Sequence, residues 1–250
     1  MVTRQAAQEA ITGGRVLVDG APADKPARLV GPGQAIRLTG SGPRFVSRGG
    51  DKLDSALEHF GIVVEHRSAL DAGASTGGFT DCLLQRGADR VTAVDVGYGQ
   101  LHQRLRQDPR VRLLERTNVR SLALEAPVDV VVADLSFISL ATVAPSLVGG
   151  NARVGAEVVV LVKPQFEAGR AEVSRGRGVV REAAVWRRVL GEVRSALQAH
   201  GAAMMDVMVS PLKGADGNVE FLAHLRAHST ASGLDESKLD AVVSQARDRR

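Results

Sequence analysis

The chain has 250 residues, 44% of them hydrophobic, enough to bury a full α/β core and leave room for a small appended module. Its one cysteine, Cys82, excludes a disulfide framework and a thiolate metal cage. No apolar signal core opens the sequence and no stretch reaches the ~18 apolar residues of a membrane span, so a cytoplasmic protein is expected rather than a secreted or helical pore-forming one. The net charge of +4 lies entirely in residues 1–52, which hold eight Lys/Arg against four acids; this is the pattern of a basic front segment that meets a polyanion, or of a solvated surface with a local excess.

In chain order, Thr3 can cap a short helix that runs to about Thr12, where Gly13-Gly14 stops it. Arg15–Val18 reads as a strand, Asp19-Gly20 as a tight turn and Ala35–Leu38 as a further strand. Thr39-Gly40-Ser41-Gly42-Pro43 breaks the pattern as a linker. A helix is predicted over about Lys52–Phe60, and apolar runs recur at 69–71, 91–95, 111–114, 128–133 and 158–162 between helix-like or loop segments. That alternation predicts an α/β fold with a parallel sheet covered on both faces. Val185–His200 is expected to be helical, 204–210 and 218–225 to be closing strands, and Asp235–Ala246 to be an amphipathic tail packed on the body.

The most informative stretch is Asp71-Ala-Gly73-Ala-Ser75-Thr76-Gly77-Gly78-Phe79-Thr80, entered by a short apolar run and left by a helix-like segment. Glycines there let the backbone approach a ligand, and the following helix presents free N–H groups. Asp95, at the end of the next apolar run, stands where a carboxylate can accept from ribose hydroxyls. Asp71 ahead of the first glycine would repel a pyrophosphate and welcome a cationic amino-acid end, and Ser75 replaces the second glycine of the dinucleotide fingerprint. Both departures favour S-adenosylmethionine over NAD; a ligand-free strand-to-helix turn remains the alternative.

Ligands of such sheets gather at the carboxyl ends of the strands. Asp134 ends the run 128–133, Lys163 ends 158–162, Glu220 lies in the late segment 217–221, and Lys52 lies on the first helix of the body. A lysine set in an apolar wall can take or steer a hydroxyl proton, and Asp134 can position it; ordinary ion pairs closing strand ends are the alternative. An Asn/Asp-Pro-Pro-aromatic turn for amine methylation is absent, since that place reads Asp134-Leu135-Ser136-Phe137, and Cys82 is poorly placed as a nucleophile. A hydroxyl acceptor such as a ribose 2′-OH fits better. Gly169-Arg170 through Gly178 reads as a basic loop over substrate phosphates or as a plain surface loop, and the histidines show no metal-ligand spacing.

The segments Val46–Leu53, Asp71–Thr80, Asp95–Leu101, Glu115–Asn118, Ala133–Ser139, Leu161–Glu167 and Gly217–Glu220, in this order, make the chain resemble the TlyA family, S-adenosylmethionine-dependent rRNA 2′-O-methyltransferases also labelled hemolysin A and related to FtsJ-type enzymes. The resemblance implies a Rossmann-like methyltransferase domain over residues 47–228, a linker at 41–46, a partial alpha-L RNA-binding module over 1–40 and a helical tail over 229–250. It implies a catalytic set of Lys52, Asp134, Lys163 and Glu220. A cofactor site at Asp71, Gly73, Ser75, Thr76, Gly77, Gly78, Phe79, Asp95, Asn118 and Asp134 and RNA contacts at Arg4, Arg15, Lys25, Arg28, Arg44, Arg48 and Arg170 complete the expected site residues. Implied substrates are cytidine riboses of large-subunit rRNA and, for longer members, of small-subunit rRNA, with a link to capreomycin-type antibiotic susceptibility. Against the family pattern, the chain starts inside the RNA-binding module, and its linker reads Pro43-Arg44-Phe45-Val46 where mycobacterial members carry Arg-x-Trp-Val. The family label also raises a membrane-active hemolysin, and a non-catalytic RNA-binding assembly factor is a third reading.

Overall fold

The structure is a computed structural model that describes the backbone of all residues except 1–3, 41, 177, 230, 232 and 249–250, and no side chain at 4–6, 9, 170, 171, 175 or 215. Two compact units follow one another, Met1–Arg44 and Phe45–Arg250.

In the first unit, α1 (Arg4–Thr12) is followed by β1 (Val16–Val18), β2 (Ala21–Pro22) and β3 (Ile36–Leu38). Both β2 and β3 pair antiparallel to β1. Asp19 and Gly20 both hold positive φ, 50° and 81°, as a two-residue hairpin between right-twisted strands requires. The Asp19 carboxylate also accepts from the Ala35 N–H and from Gln34 Nε2, both at 2.8 Å, which ties the long 23–35 connection to the turn and holds its pKa below the ordinary carboxylate value. Ala10, Val16, Val18 and Ala23 form the unit's small core. Thr3, expected to cap α1, lies outside the described residues.

The second unit is built on a seven-stranded sheet. Its strands are β4 (Ser68–Ala72), β5 (Arg90–Val94), β6 (Val111–Leu114), β7 (Val128–Ala133), β8 (Ala152–Val162), β9 (Ala202–Val209) and β10 (Phe221–Ala227), in the order β6-β5-β4-β7-β8-β10-β9. The helices are α2 (Gly49–His59), α3 (Gly78–Gln85), α4 (Gln103–Arg106), α5 (Leu140–Ala144), α6 (Pro164–Glu167), α7 (Arg170–Arg175), α8 (Ala183–Gln198) and α9 (Glu236–Asp248). Alternate residues of the central strands supply two separate cores. Val131, Val158, Val160 and Val162 join the layer that contains Trp186, Val189 and Leu239, whereas Val130, Val132, Val159 and Leu161 join Leu53, Leu57 and Leu83. Burial on both faces is why these strands read as continuous apolar runs.

The five apolar runs pair parallel as expected, whereas the closing strand β10 makes the sheet mixed by running antiparallel to both β8 and β9. Only residues 210–220 join β9 to β10, and they hold a single short 3-10 turn (Ala215–Gly217) rather than the helical crossover that parallel strands need. β8 also begins earlier than the apolar run suggests, at Ala152, which pairs with Val128; Arg153, Val154 and Gly155 (φ 75°) then leave the ladder at an irregularity before pairing resumes between Val130 and Glu157. Phe45 and Val46, read as linker, are packed in the second unit: Phe45 is 2% exposed, and the Val46 N–H donates to Asp81 Oδ2 at 2.8 Å. The amphipathic tail is α9, which buries Leu239, Val242, Val243 and Ala246; Arg187 pairs with its Glu236 and Asp240, and Arg194 with Glu236.

Candidate active site

Close backbone approach brings α2 to the site. A Cβ on Gly50 would fall within 2.3 Å of the Phe45 ring, and one on Gly78 within 2.2 Å of Ser47 Oγ, so only glycines let Phe45–Gly50 pack against the start of α3. Lys52 then lies one turn into α2 and reaches Glu220, with Nζ 2.5 Å from Oε2; the two side chains are 11% and 2% exposed. Glu220 directly precedes β10, and its carboxylate is wrapped by the 210–218 turn, where a Cβ on Gly214 would come within 2.1 Å of Oε1.

Lys163 follows β8 and Asp134 follows β7, both at the carboxyl edge. Lys163 Nζ lies 2.6 Å from Asp134 Oδ1 and donates to Ser136 Oγ at 2.9 Å. Phe221 pairs with Val162 in the β8–β10 register, so the next positions outward are Glu220 and Lys163. The four residues expected to form the catalytic set thus make two lysine–carboxylate pairs on neighbouring strand ends.

Beside them, the turn after β4 is pinned by the Gly73 and Ala74 N–H groups donating to Val94 O. Gly73, Ser75 and Gly77 hold φ of 88°, 48° and 102°. At Gly73 a Cβ would also approach Asp134 O to 2.5 Å, which excludes any side chain there. Ser75 and Thr76 are exposed, while Gly78 and Phe79 are buried. Asp95 accepts from the Ser75 N–H through Oδ2 and from the Gly97 N–H through Oδ1, each at 2.7 Å. One lone pair on each oxygen is left for hydroxyls. Asn118 is exposed after β6 and caps a 3-10 turn through the Arg120 N–H.

Asp71 is a fully buried acid. Thr80 Oγ1 donates to its Oδ2 at 2.6 Å, and its Oδ1 has no hydrogen-bond partner among the described residues. Burial, with added repulsion from Asp134 and Asp95, pushes its pKa from 3.8 up to about 7. An orphaned buried acceptor, with Asp95 ready for hydroxyls, fits the cationic amino-acid end and ribose of S-adenosylmethionine and does not fit a pyrophosphate. Because the folded-state value is raised, the contribution to stability is complete below 3.8 and is lost as pH rises through about 7. Asp71→Asn is therefore expected to stabilise the ligand-free protein by more than about 1 kcal/mol at pH 8. The difference between the two proteins should shrink steadily as pH falls from about 7 and vanish only near 3.8; equal melting midpoints at pH 8 would mean that the carboxylate is solvated.

Two features escaped the sequence reading. Phe137 is 90% exposed with φ of 65°, its ring centroid 4.9 Å from that of Phe166, so an aromatic face stands open next to Ser136. Glu115 pairs bidentately with Arg106 at 2.7 and 2.9 Å and accepts from the Gly99 N–H at 2.6 Å, fixing the loop after Asp95. Both sit inside motif stretches, and exposed aromatics or paired acids within a motif would have been the signal. Among the expected RNA contacts, Arg15 is half-buried in the first unit, where Lys25, Arg28 and Arg44 are exposed, and Arg48 is exposed at the N-cap of α2 in the second. The side chains of Arg4 and Arg170 lie outside the described residues. The loop expected at 169–178 contains α7, tied to α8 through the Glu172–Arg188 pair. No cluster of metal-ligating side chains and no helix long and apolar enough to cross a membrane occurs among the described residues.

Comparison with known proteins matches residues 45–227 to the FtsJ-like methyltransferase family and residues 2–36 to the S4 domain. A 16S/23S rRNA (cytidine-2′-O)-methyltransferase TlyA of Mycobacterium tuberculosis is 51% identical over 248 residues, covering 96% of this chain and 92% of that protein. A solved structure described as a candidate hemolysin from Streptococcus thermophilus aligns with a TM-score of 0.82 at 40% identity, covering 99% of this chain and 91% of the other. The NodS N-methyltransferase of Bradyrhizobium japonicum, in complex with S-adenosylhomocysteine, shares the fold with a TM-score of 0.52 at 17% identity, over 72% of this chain and 87% of its own. With the FtsJ-like match over most of its length and a TlyA relative 51% identical across 96% of it, the chain belongs to the TlyA family of FtsJ-like methyltransferases.

Proposed function

We propose that the chain transfers a methyl group from S-adenosylmethionine to the 2′-OH of a cytidine ribose in ribosomal RNA of the large subunit and, as in the mycobacterial relative, of the small subunit. The observation that carries this reading is Lys163, held between Asp134 and Ser136 at the carboxyl edge next to the glycine turn. Bound at the Gly73–Gly78 turn, S-adenosylmethionine supplies an electrophilic methyl group. Asp71 meets its cationic amine and Asp95 its ribose hydroxyls. Lys163, an ammonium beside Asp134, orients the acceptor hydroxyl and steers its proton towards the Asp134 carboxylate or solvent as the methyl group is transferred, work for which a cation fixed by two oxygen partners is suited. Asp134 and Glu220 organise the two lysines, and Lys52 completes the site.

The S4 match over residues 2–36, with exposed Lys25 and Arg28 in that unit, supports docking on RNA through phosphate contacts. Phe137 offers a ring on which an unstacked base can lie. A ribosomal substrate places the protein in the cytoplasm.

The testing experiment is transfer of radiolabelled methyl to separated subunits that lack the modification, followed by mapping of the modified ribose. Label on a cytidine 2′-O is the expected result. Absence of label on both subunits, with S-adenosylmethionine still bound, would favour a non-catalytic assembly factor. The hemolysin name of the streptococcal structure motivates one further assay: lysis of liposomes by the purified, lipid-free protein would support a membrane activity.

A further inference from the structure

Glu167, the last residue of α6, lies four positions after Lys163 on the strand-end loop of β8, yet both of its oxygens are used by the loop after β7. Oε2 accepts from Ser139 Oγ at 2.6 Å, and Oε1 accepts from the Leu140 N–H at 2.9 Å. The loop it grips, residues 134–139, carries Asp134, Ser136 and Phe137. The Asp134–Lys163 pair joins the same two loops nearer the sheet, so the loops are cross-linked twice, once by the reacting groups and once behind them. Ser139 also caps α5 by accepting from the Ala141 N–H at 3.2 Å, which makes the grip continuous with the start of that helix.

Resting on the methyltransferase reading above, we propose that Glu167 is a positioning residue: it clasps the loop bearing Asp134 to the loop bearing Lys163 and so sets the geometry of the catalytic pair. The site is an unfavourable one for a carboxylate. Burial pushes its pKa above the ordinary range against the two hydrogen bonds, and Glu192 on α8 adds repulsion. A glutamine, which can still accept from the Leu140 N–H and donate to Ser139 Oγ, keeps the clasp in weaker form. Alanine removes it. The clasping groups, Glu167, Ser139 and the Leu140 N–H, make no hydrogen bond to β4, β5 or the Gly73–Gly78 turn; only the near end of the gripped loop borders the turn, where the Asp134 N–H is held by Ala72 O, so the clasp is expected to affect transfer far more than cofactor affinity.

The test compares wild type, Glu167→Ala, Glu167→Gln and Ser139→Ala in methyl transfer to ribosomal subunits at saturating S-adenosylmethionine, with cofactor affinity by calorimetry and folding by thermal melt. Glu167→Ala is expected to lower kcat by about 100-fold, the effect of a displacement on the order of 1 Å in a reacting pair, with cofactor Kd changed less than about threefold. Ser139→Ala should lose about tenfold, and Glu167→Gln should stay within about tenfold of wild type. A folded Glu167→Ala protein with wild-type kcat overturns the proposal, as does a loss confined to cofactor affinity. Should Glu167→Ala not fold, Ser139→Ala decides, and wild-type kcat in that variant overturns the clasp. Failure of the wild-type protein to methylate either subunit refutes the methyltransferase reading itself and the clasp with it.

Discussion

Lys163→Ala is expected to lower methyl transfer to ribosomal RNA by about 10²–10⁴-fold, the span of a lost positioned acid–base group, and to leave S-adenosylmethionine affinity within about threefold. The separation follows from where the side chain lies. Its Nζ spends its contacts on Asp134 Oδ1 and Ser136 Oγ at the strand-end loops, whereas the groups suited to the cofactor sit on the turn after β4 and on Asp95. Asp134 Oδ1 is buried, but the side chain as a whole is about a quarter exposed, so the space left by the shortened lysine opens a path for water to that oxygen and the truncation is not expected to unfold the protein. Lys163→Arg tests the chemistry further. A guanidinium keeps the charge beside Asp134, but its planar fork cannot reproduce a single point contact. The arginine variant is therefore expected to stay about as inactive as alanine. Calorimetric titration with the cofactor and a single-turnover methylation assay on the same preparations give the two readouts. Turnover at wild-type rate in Lys163→Ala would reduce the Asp134–Lys163 pair to an ion pair that closes a strand end.

How much of this was legible in the sequence depended on whether local pattern or long-range pairing decided each feature. The parallel strands announce themselves because burial on both faces forces continuous apolar runs such as Val128–Ala133, and the turn after β4 does so because Gly73 must combine positive φ with contact to Asp134 O. Asp134 and Lys163 were found by the same logic, as charges that directly follow buried runs. Other features depend on partners distant in the chain. That Lys52 pairs with Glu220, 168 residues away, follows from the glycine-mediated packing of α2 on α3 and from the antiparallel insertion of β10, and neither carries a local signal. The antiparallel direction itself was hidden because a strand's alternation is the same whichever way it runs. Glu167 closes the motif segment Leu161–Glu167, but no local pattern gives it a role, since only the fold brings it to Ser139 and Leu140.

The Lys52–Glu220 pair yields the largest expected change in stability. Lys52→Ala leaves the Glu220 carboxylate, 2% exposed, without the ammonium that sits 2.5 Å away, and a buried charge stripped of its partner costs about 3–5 kcal/mol. Glu220→Gln strands the lysine instead, which is less buried at 11% exposure and sits near the helix surface, so a smaller loss of about 1–3 kcal/mol is expected. If the pair were only structural, removing both charges together would cure both defects. Lys52→Met combined with Glu220→Gln is expected to regain stability to within about 1–2 kcal/mol of wild type, because a neutral pair escapes the desolvation of both ions. Methyl transfer should nevertheless remain down by about 100-fold or more in the double variant, since a thioether cannot orient a hydroxyl or stabilise developing charge. Urea unfolding of wild type, Lys52→Met, Glu220→Gln and the double variant gives the coupling energy, and methylation of intact subunits gives the activity. Recovery of both stability and methylation in the double variant would remove Lys52 and Glu220 from catalysis and leave the site to Asp134 and Lys163. Recovery of stability alone would separate the two roles that one short contact performs, holding α2 against the edge of β10 and presenting a cation to the acceptor.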